Sequence, residues 1–195
     1  MLGCMARWAP DTRERLRVAA LELFEERGFA ATTVPDIVER AGVTRRTFFR
    51  HFSDKREVFF GDDEIPALAT AMLAAAPLGA PPFSIVWRGL HALAGERFEP
   101  RREQMAASRG IIEGEPALRE RDLQKQADLR EAIRAGSRAR GVDELTSRVV
   151  AGLGVDLLQT ALERWLADED RMPLTHHLDE VRQRMSDVLG EVDTL

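Results

Sequence analysis

The chain has 195 residues, of which 44% are hydrophobic and 31% charged, with a formal net charge of −5 and one cysteine, Cys4. Those proportions are ordinary for a soluble globular protein, and a lone cysteine excludes an internal disulfide and fits a reducing, cytoplasmic setting. No apolar run approaches the roughly 20 residues that span a bilayer, which excludes a membrane partner, and MLGCMARWAP lacks a signal-peptide core.

Tyr is absent, while Ala, Leu, Arg and Glu abound, so the composition favours an all-α fold. Met5 is an alternative start to Met1. The first helix opens at Asp11 or Thr12 and runs to about Arg27. Leu16, Ala20, Leu23 and Phe24 form its inward stripe, and Gly28 stops it with Phe29 placed for the accompanying apolar contact. Arg13 and Arg17 lie one turn apart on the outer face, where they either touch phosphate or are plain surface charge.

Thr33 reads as an N-cap with Asp36 three residues on, a capping box with Asp in place of Glu, and Pro35 sits in the first turn. Val34, Ile37, Val38 and Ala41 then recur at helical spacing, and Gly42 ends the helix where positive φ is wanted. Val43 fills the angle, Thr44 caps again, and Phe48 and Phe52 face inward together. Arg45, Arg46, Thr47, Phe49 and Arg50 are left pointing outward. Two short helices joined by a glycine turn, the second studded with Arg, are the sequence form of a helix-turn-helix. From Val43 to Arg56 five cations (Arg45, Arg46, Arg50, Lys55, Arg56) oppose only Asp54, a local net of +4 within an acidic chain. The local field governs phosphate binding, so the negative total is no objection.

The stretch AGVTRRTFFRHFSDKREVFF resembles the recognition segment of the TetR/AcrR family of one-component transcriptional regulators. The preceding RERLRVAALELFEERGFAATTVPDIVERAGV resembles the first two helices of the same domain, and the likeness runs from Thr12 to about Phe60. Two departures stand out. The family often has a small residue where Arg46 stands and a Tyr where Phe49 stands. The resemblance implies a three-helix DNA-binding domain over residues 1–60 and a ligand-sensing, dimerising helical domain over 61–195, about nine helices in all. Repression is its usual mode.

Asp54 with Glu57 looks like a further capping box, opening a helix that runs to about Ala76 with a kink or break at Gly61 or Pro66. Pro77–Pro82 is a linker. Helices follow over Phe83 to about Glu96, Arg101–Glu113, Ala117 to about Arg140, and Asp143–Asp168. The last of these is apolar on more than one face and must be buried on two sides. In the final helix Leu178, Val181, Met185, Val188 and Val192 form a stripe that wants a partner helix. With Leu153, Leu157 and Ala161 it is assigned to a symmetric dimer interface, the alternative being packing inside one chain.

Arg45 and Thr47 are assigned chiefly to base edges, and Arg46 to base and phosphate. Thr33, Thr44, Arg50 and Lys55 are assigned to phosphates. Phe49 packs either on a thymine methyl or sugar, or in the core. Met72, Trp87, His91, Phe98, Met105 and Trp165 are candidate walls of an apolar effector pocket, though core packing competes at each. Pro116–Arg121 slightly resembles family bodies that sense acyl-coenzyme A or similar lipidic molecules.

No cofactor, metal cluster, phosphate loop or nucleophile elbow is found. His176 and His177 are adjacent and diverge on a helix, and Glu113 and Glu115 have no catalytic partner. The reading is therefore a non-enzymatic, ligand-responsive regulator that binds a palindromic operator as a homodimer and is released by a small effector. Its rival is a helical protein–protein adaptor.

Overall fold

A computed structural model describes residues 12–60 and 64–192, with the side chain of Val192 outside the description. Asp11, Cys4, Met5 and Gly61, each given a role above, also lie outside it. The described residues form ten α-helices: α1 Thr12–Arg27, α2 Val34–Ala41, α3 Arg45–His51, α4 Glu57–Phe60, α5 Glu64–Ala75, α6 Pro82–Leu93, α7 Arg102–Gly114, α8 Pro116–Ala139, α9 Glu144–Ala167 and α10 Leu174–Val192. No strand occurs among them. Between α6 and α7 the chain stays helical, through a π turn at Ala94–Phe98 and a 3-10 turn at Glu99–Arg101, where the sequence reading left a gap between Glu96 and Arg101. The helix expected to run to about Ala76 is two, α4 ending at Phe60 and α5 opening at Glu64, as a break near 61–66 required. Pro66 does not kink α5. It is the third residue of α5, in a first turn whose N–H groups have no helical partner anyway.

The chain divides into two compact units. One is the described part of Met1–Asp62 together with Ser108–Arg119, and the other is Asp63–Ala107 with Glu120–Leu195. In the first, Leu16, Leu23, Phe24, Phe29, Ile37, Phe48, Phe52, Val58 and Phe59 make the core. Phe24 stacks on Phe59 with ring centres 4.9 Å apart. Leu118, the third residue of α8, completes this core with no exposed surface, and Ile111 and Ile112 pack against it.

The second unit buries Leu73, Ile85, Val86, Leu90, Leu129, Ile133, Val155, Leu158, Trp165, Leu174 and Leu178. The α6–α9 approach depends on Gly154, where a Cβ would meet Val86 Cγ1 at 2.7 Å. Two arginines gather carbonyls at helix ends, where the last turn leaves acceptors short of helical partners. Arg140 donates to the carbonyls of Leu73, Ala76 and Pro77, and Arg102 to those of Trp165 and Asp168. None of the described helices is long and apolar enough to cross a membrane.

Candidate nucleic-acid interface

The interface is built on two caps and one turn. The Thr33 hydroxyl accepts from the Asp36 N–H, and the Asp36 carboxylate accepts from the Thr33 N–H at 2.7 Å, which makes the capping box reciprocal. The Thr33 hydroxyl, which also donates to the Asp36 carboxylate at 2.6 Å, then the Thr33 N–H and the nearby Arg27 guanidinium hold the Asp36 carboxyl below the usual carboxylate range. At the other end of α2, Gly42 takes φ +64°, its N–H reaches Glu39 O and Val38 O, and Val43 N–H closes onto Val38 O. A side chain at that φ is crowded by the following carbonyl, and glycine escapes the cost. Arg15 donates to the Ala41 carbonyl, finishing the C-terminus of α2.

Thr44 starts α3 by accepting the Thr47 N–H at 3.2 Å, and the two threonine hydroxyls lie 3.0 Å apart. Phe48 and Phe52 then turn inward, 0% and 4% exposed. On the opposite side Arg45, Arg46, Phe49 and Arg50 are exposed and Thr47 is half-buried. Phe49, at 49% exposed, is not a core residue; it meets only the edge of Phe48 and lies under the Arg45 guanidinium, whose carbon is 6.0 Å from its ring centre.

The remaining charges in this unit sort themselves sharply. Arg40 bridges Glu22 and Glu26, Arg17 pairs with Glu14, and Arg27 lies 3.2 Å from Asp36. Arg13 covers the Phe52 ring. Arg45, Arg46 and Arg50, in contrast, make no ion pair among the described residues; Arg50 has only His51 Nε2 at 3.5 Å. Asp54 accepts the Arg56 N–H and its guanidinium, closing a turn ahead of α4, and the Glu57 N–H also bonds its carboxylate, the N-cap half of the expected box. Lys55 departs most from expectation. Its ammonium donates to the carbonyls of Phe29 and Thr32 and is not presented outward for phosphate. Of the five cations counted in the sequence, the three on α3 are therefore the exposed ones without an ion pair among the described residues.

The residues picked for an effector pocket all lie in the second unit. Trp165 is 2% exposed, inside the core, and Trp87, Phe98 and Met105 pack against that core. His91 meets Trp87 edge-on and reaches Asp179 at 3.5 Å, Arg182 covers the Trp87 ring, and the Met72 methyl packs close to Gly89. Each of the six side chains thus has packing partners within the unit. The groove found in this unit, about 520 Å³, is open and charged instead, lined by Arg130, Glu131, Arg134, Glu144 and Arg148 with Ala127 and Ala151.

The interface stripe also needs correction. Leu157, Ala161 and Leu178 are 4%, 0% and 0% exposed within one chain, so their side chains are already spent on it. Leu153, Val181 and Met185 are half-buried and Val188 is 52% exposed. Beside them stand Leu145, Val149 and Leu189, also exposed, which the a/d spacing had passed over.

Comparison with known proteins bears on both halves. A family model described as bacterial regulatory proteins, tetR family, matches residues 16–61, and one described as the MftR C-terminal domain matches residues 80–190. Over 96 residues the chain is 40% identical to the HTH-type transcriptional regulator TcmR of Streptomyces glaucescens, covering 48% of this chain and 42% of that one. Over 51 residues it is 39% identical to MftR of Mycobacterium tuberculosis, covering 26% of each. These curated relatives are matched over less than half of their own length. Among solved structures the fold is shared with a transcriptional regulator from Aquifex aeolicus, with TM-score 0.53 and 18% identity over 91% of this chain and 99% of that one. It is also shared with Thermus thermophilus FadR, a repressor solved with lauroyl-CoA, with TM-score 0.52 and 20% identity over 88% and 91%.

Proposed function

Since this chain belongs to the TetR family of bacterial regulatory proteins, whose members named above are regulators and not enzymes, we propose that it is a ligand-responsive transcriptional repressor. It binds a palindromic operator as a cytoplasmic homodimer and is released by a small, largely apolar effector. One observation carries the reading: three arginines without carboxylate partners and an exposed Phe49 share the outer side of a capped helix, behind a left-handed glycine turn.

In the proposed complex Arg45 and Thr47 read base edges in the major groove, where a guanidinium pairs bidentately with guanine and a threonine offers hydroxyl and methyl. Arg46 and Arg50 hold phosphates, joined by the N-terminal residues Thr33 and Thr44. Phe49 lies against a thymine methyl or sugar. Residues 1–60 form the DNA-binding domain, with 108–119 added to its core, and the rest of 61–195 senses and dimerises. One module buries too little to bind tightly, so two are needed, about 34 Å apart on the duplex. The partner contact uses Leu145, Val149, Leu153, Met185, Val188 and Leu189, the apolar side chains of α9 and α10 left at the surface.

Effector binding favours a conformation in which the two modules no longer match successive grooves, which requires tighter binding to that conformation. Opening of the packing around Trp87, His91 and Trp165 would make room for it. Acyl-coenzyme A is the first probe, since a neighbour in fold was solved with lauroyl-CoA.

Selection from a random duplex pool tests the reading. The wild-type protein is expected to enrich an inverted repeat. The double variant Arg45→Ala, Thr47→Ala should bind that repeat about a hundredfold more weakly, each base contact contributing about 1–3 kcal/mol, with an unchanged circular dichroism spectrum. Equal binding by the double variant would refute it.

A further inference from the structure

We propose that Lys55 is a positioning residue of the DNA-binding unit, stapling the start of α2 to the segment that follows α3 and so setting the angle at which Arg45 and Arg46 are offered to the duplex. The proposal rests on the DNA-binding reading above and assigns to this lysine a role other than phosphate contact.

The Lys55 ammonium donates to Phe29 O at 2.7 Å and to Thr32 O at 2.9 Å, and stands 4.1 Å from the centre of the Phe29 ring. Thr32 is completely buried and directly precedes Thr33, the N-cap of α2. Lys55 comes four residues after His51, the end of α3. The contact therefore closes the chain across residues 32–55 and brackets α2, the Gly42 turn and α3 together. The far side of the staple is itself anchored: the Thr32 hydroxyl donates to Gly28 O at 2.9 Å, at the end of α1, and Phe29 packs on Phe24 and Phe59.

An ammonium suits this place better than a guanidinium. Its N–H donors radiate from one atom, so two converging carbonyls and a ring face are served at once, whereas the guanidinium fork is planar and spreads its donors. Burial pushes the ammonium below the ordinary lysine range, against the opposing pull of Glu115 and Asp54. A phosphate-binding lysine has the opposite requirement, an exposed charge with free donors.

The test uses Lys55→Met and Lys55→Arg in the full-length protein, with the duplex recovered from the random pool, at several salt concentrations and well below the unfolding temperature. The staple predicts that both variants bind about tenfold more weakly, with an unchanged slope of log affinity against log salt. Hydrogen exchange at the Thr32 and Ile37 amides should quicken in both. A phosphate contact predicts a slope reduced by about one for the Met variant and recovery by Arg, which keeps the charge; that result overturns the proposal. So does a folded Met variant that binds as the wild type does, because a lysine contributing only stability would leave affinity unmoved. If Met prevents folding, the Arg variant decides by the same readouts. A wild-type protein that binds no duplex sinks the DNA-binding reading and this proposal with it, and is recognised before any variant is made.

Discussion

Truncating Leu118 to alanine should loosen the N-terminal unit, although the residue stands well past the middle of the chain. Leu118 has no exposed surface and belongs to the same core as Leu16, Phe24, Ile37 and Phe59. A buried Leu→Ala change costs about 2–5 kcal/mol, the range depending on how far the surroundings collapse into the space. Collapse is restricted here, because Glu115 O accepts both the Leu118 and the Arg119 N–H at 3.0 Å and holds this first turn in place. We therefore expect about 3 kcal/mol, which accelerates exchange through unit-wide opening by about a hundredfold. Native-state hydrogen exchange resolves where the loss falls. Amides of α1 and α2 should lose protection, while those of α9 keep it. If protection falls only between residues 120 and 167, or α1 is unaffected, Leu118 is not part of the N-terminal core and the reasoning fails.

Further outcomes follow from the same geometry. Replacing Val188 and Leu189 by Glu places charge on the apolar surface left on α10; sedimentation should show weaker self-association, and wild-type behaviour would remove this surface from the proposed dimer. Asp168 accepts the Met172 and Asp170 N–H groups and lies 3.1 Å from His177 Nε2. The Met172 bond leads in holding its carboxyl below the ordinary range, with His177 adding to it. Because the folded value is the lower one, this stabilisation is present above about pH 4 and is lost as pH falls through the folded value. Asp168→Asn should thus lower the melting temperature at neutral pH, and its difference from wild type should shrink toward about pH 2. A difference that stays constant across that range would show that the carboxylate is not the source.

Helix ends were legible wherever a residue acts on its own backbone. Thr33 and Thr44 bond N–H groups three residues on, and Gly28 and Gly42 take positive φ, all consequences of local chemistry. The inward pair Phe48 and Phe52 and the outward arginines of α3 were legible for a similar reason, since helical period alone separates the two sides. What an apolar side packs against is a different question, and period cannot answer it. Leu178 and Ala161 kept the spacing of a partner-seeking stripe yet are consumed within the chain. Leu118 sat in a charge-rich helix with no local mark of the core it fills. Lys55 read as a phosphate contact because a lysine beside a recognition helix is a cation on paper; the two carbonyls that receive it come from far earlier in the chain. The effector residues stayed ambiguous for a related reason, as aromatic and sulfur side chains mark interior and cavity wall alike.

Residues 108–119 have a practical meaning for anyone building hybrids of such regulators. A junction placed only after residue 62 would graft one protein's front end onto another's plug, leaving Leu118 to fit a hollow shaped for a different side chain. A transplantable reading head is therefore two pieces of sequence, 1–62 and 108–119, moved together. Natural exchange between relatives meets the same constraint, so front ends should travel intact only when the distant dodecapeptide is shared or carried along.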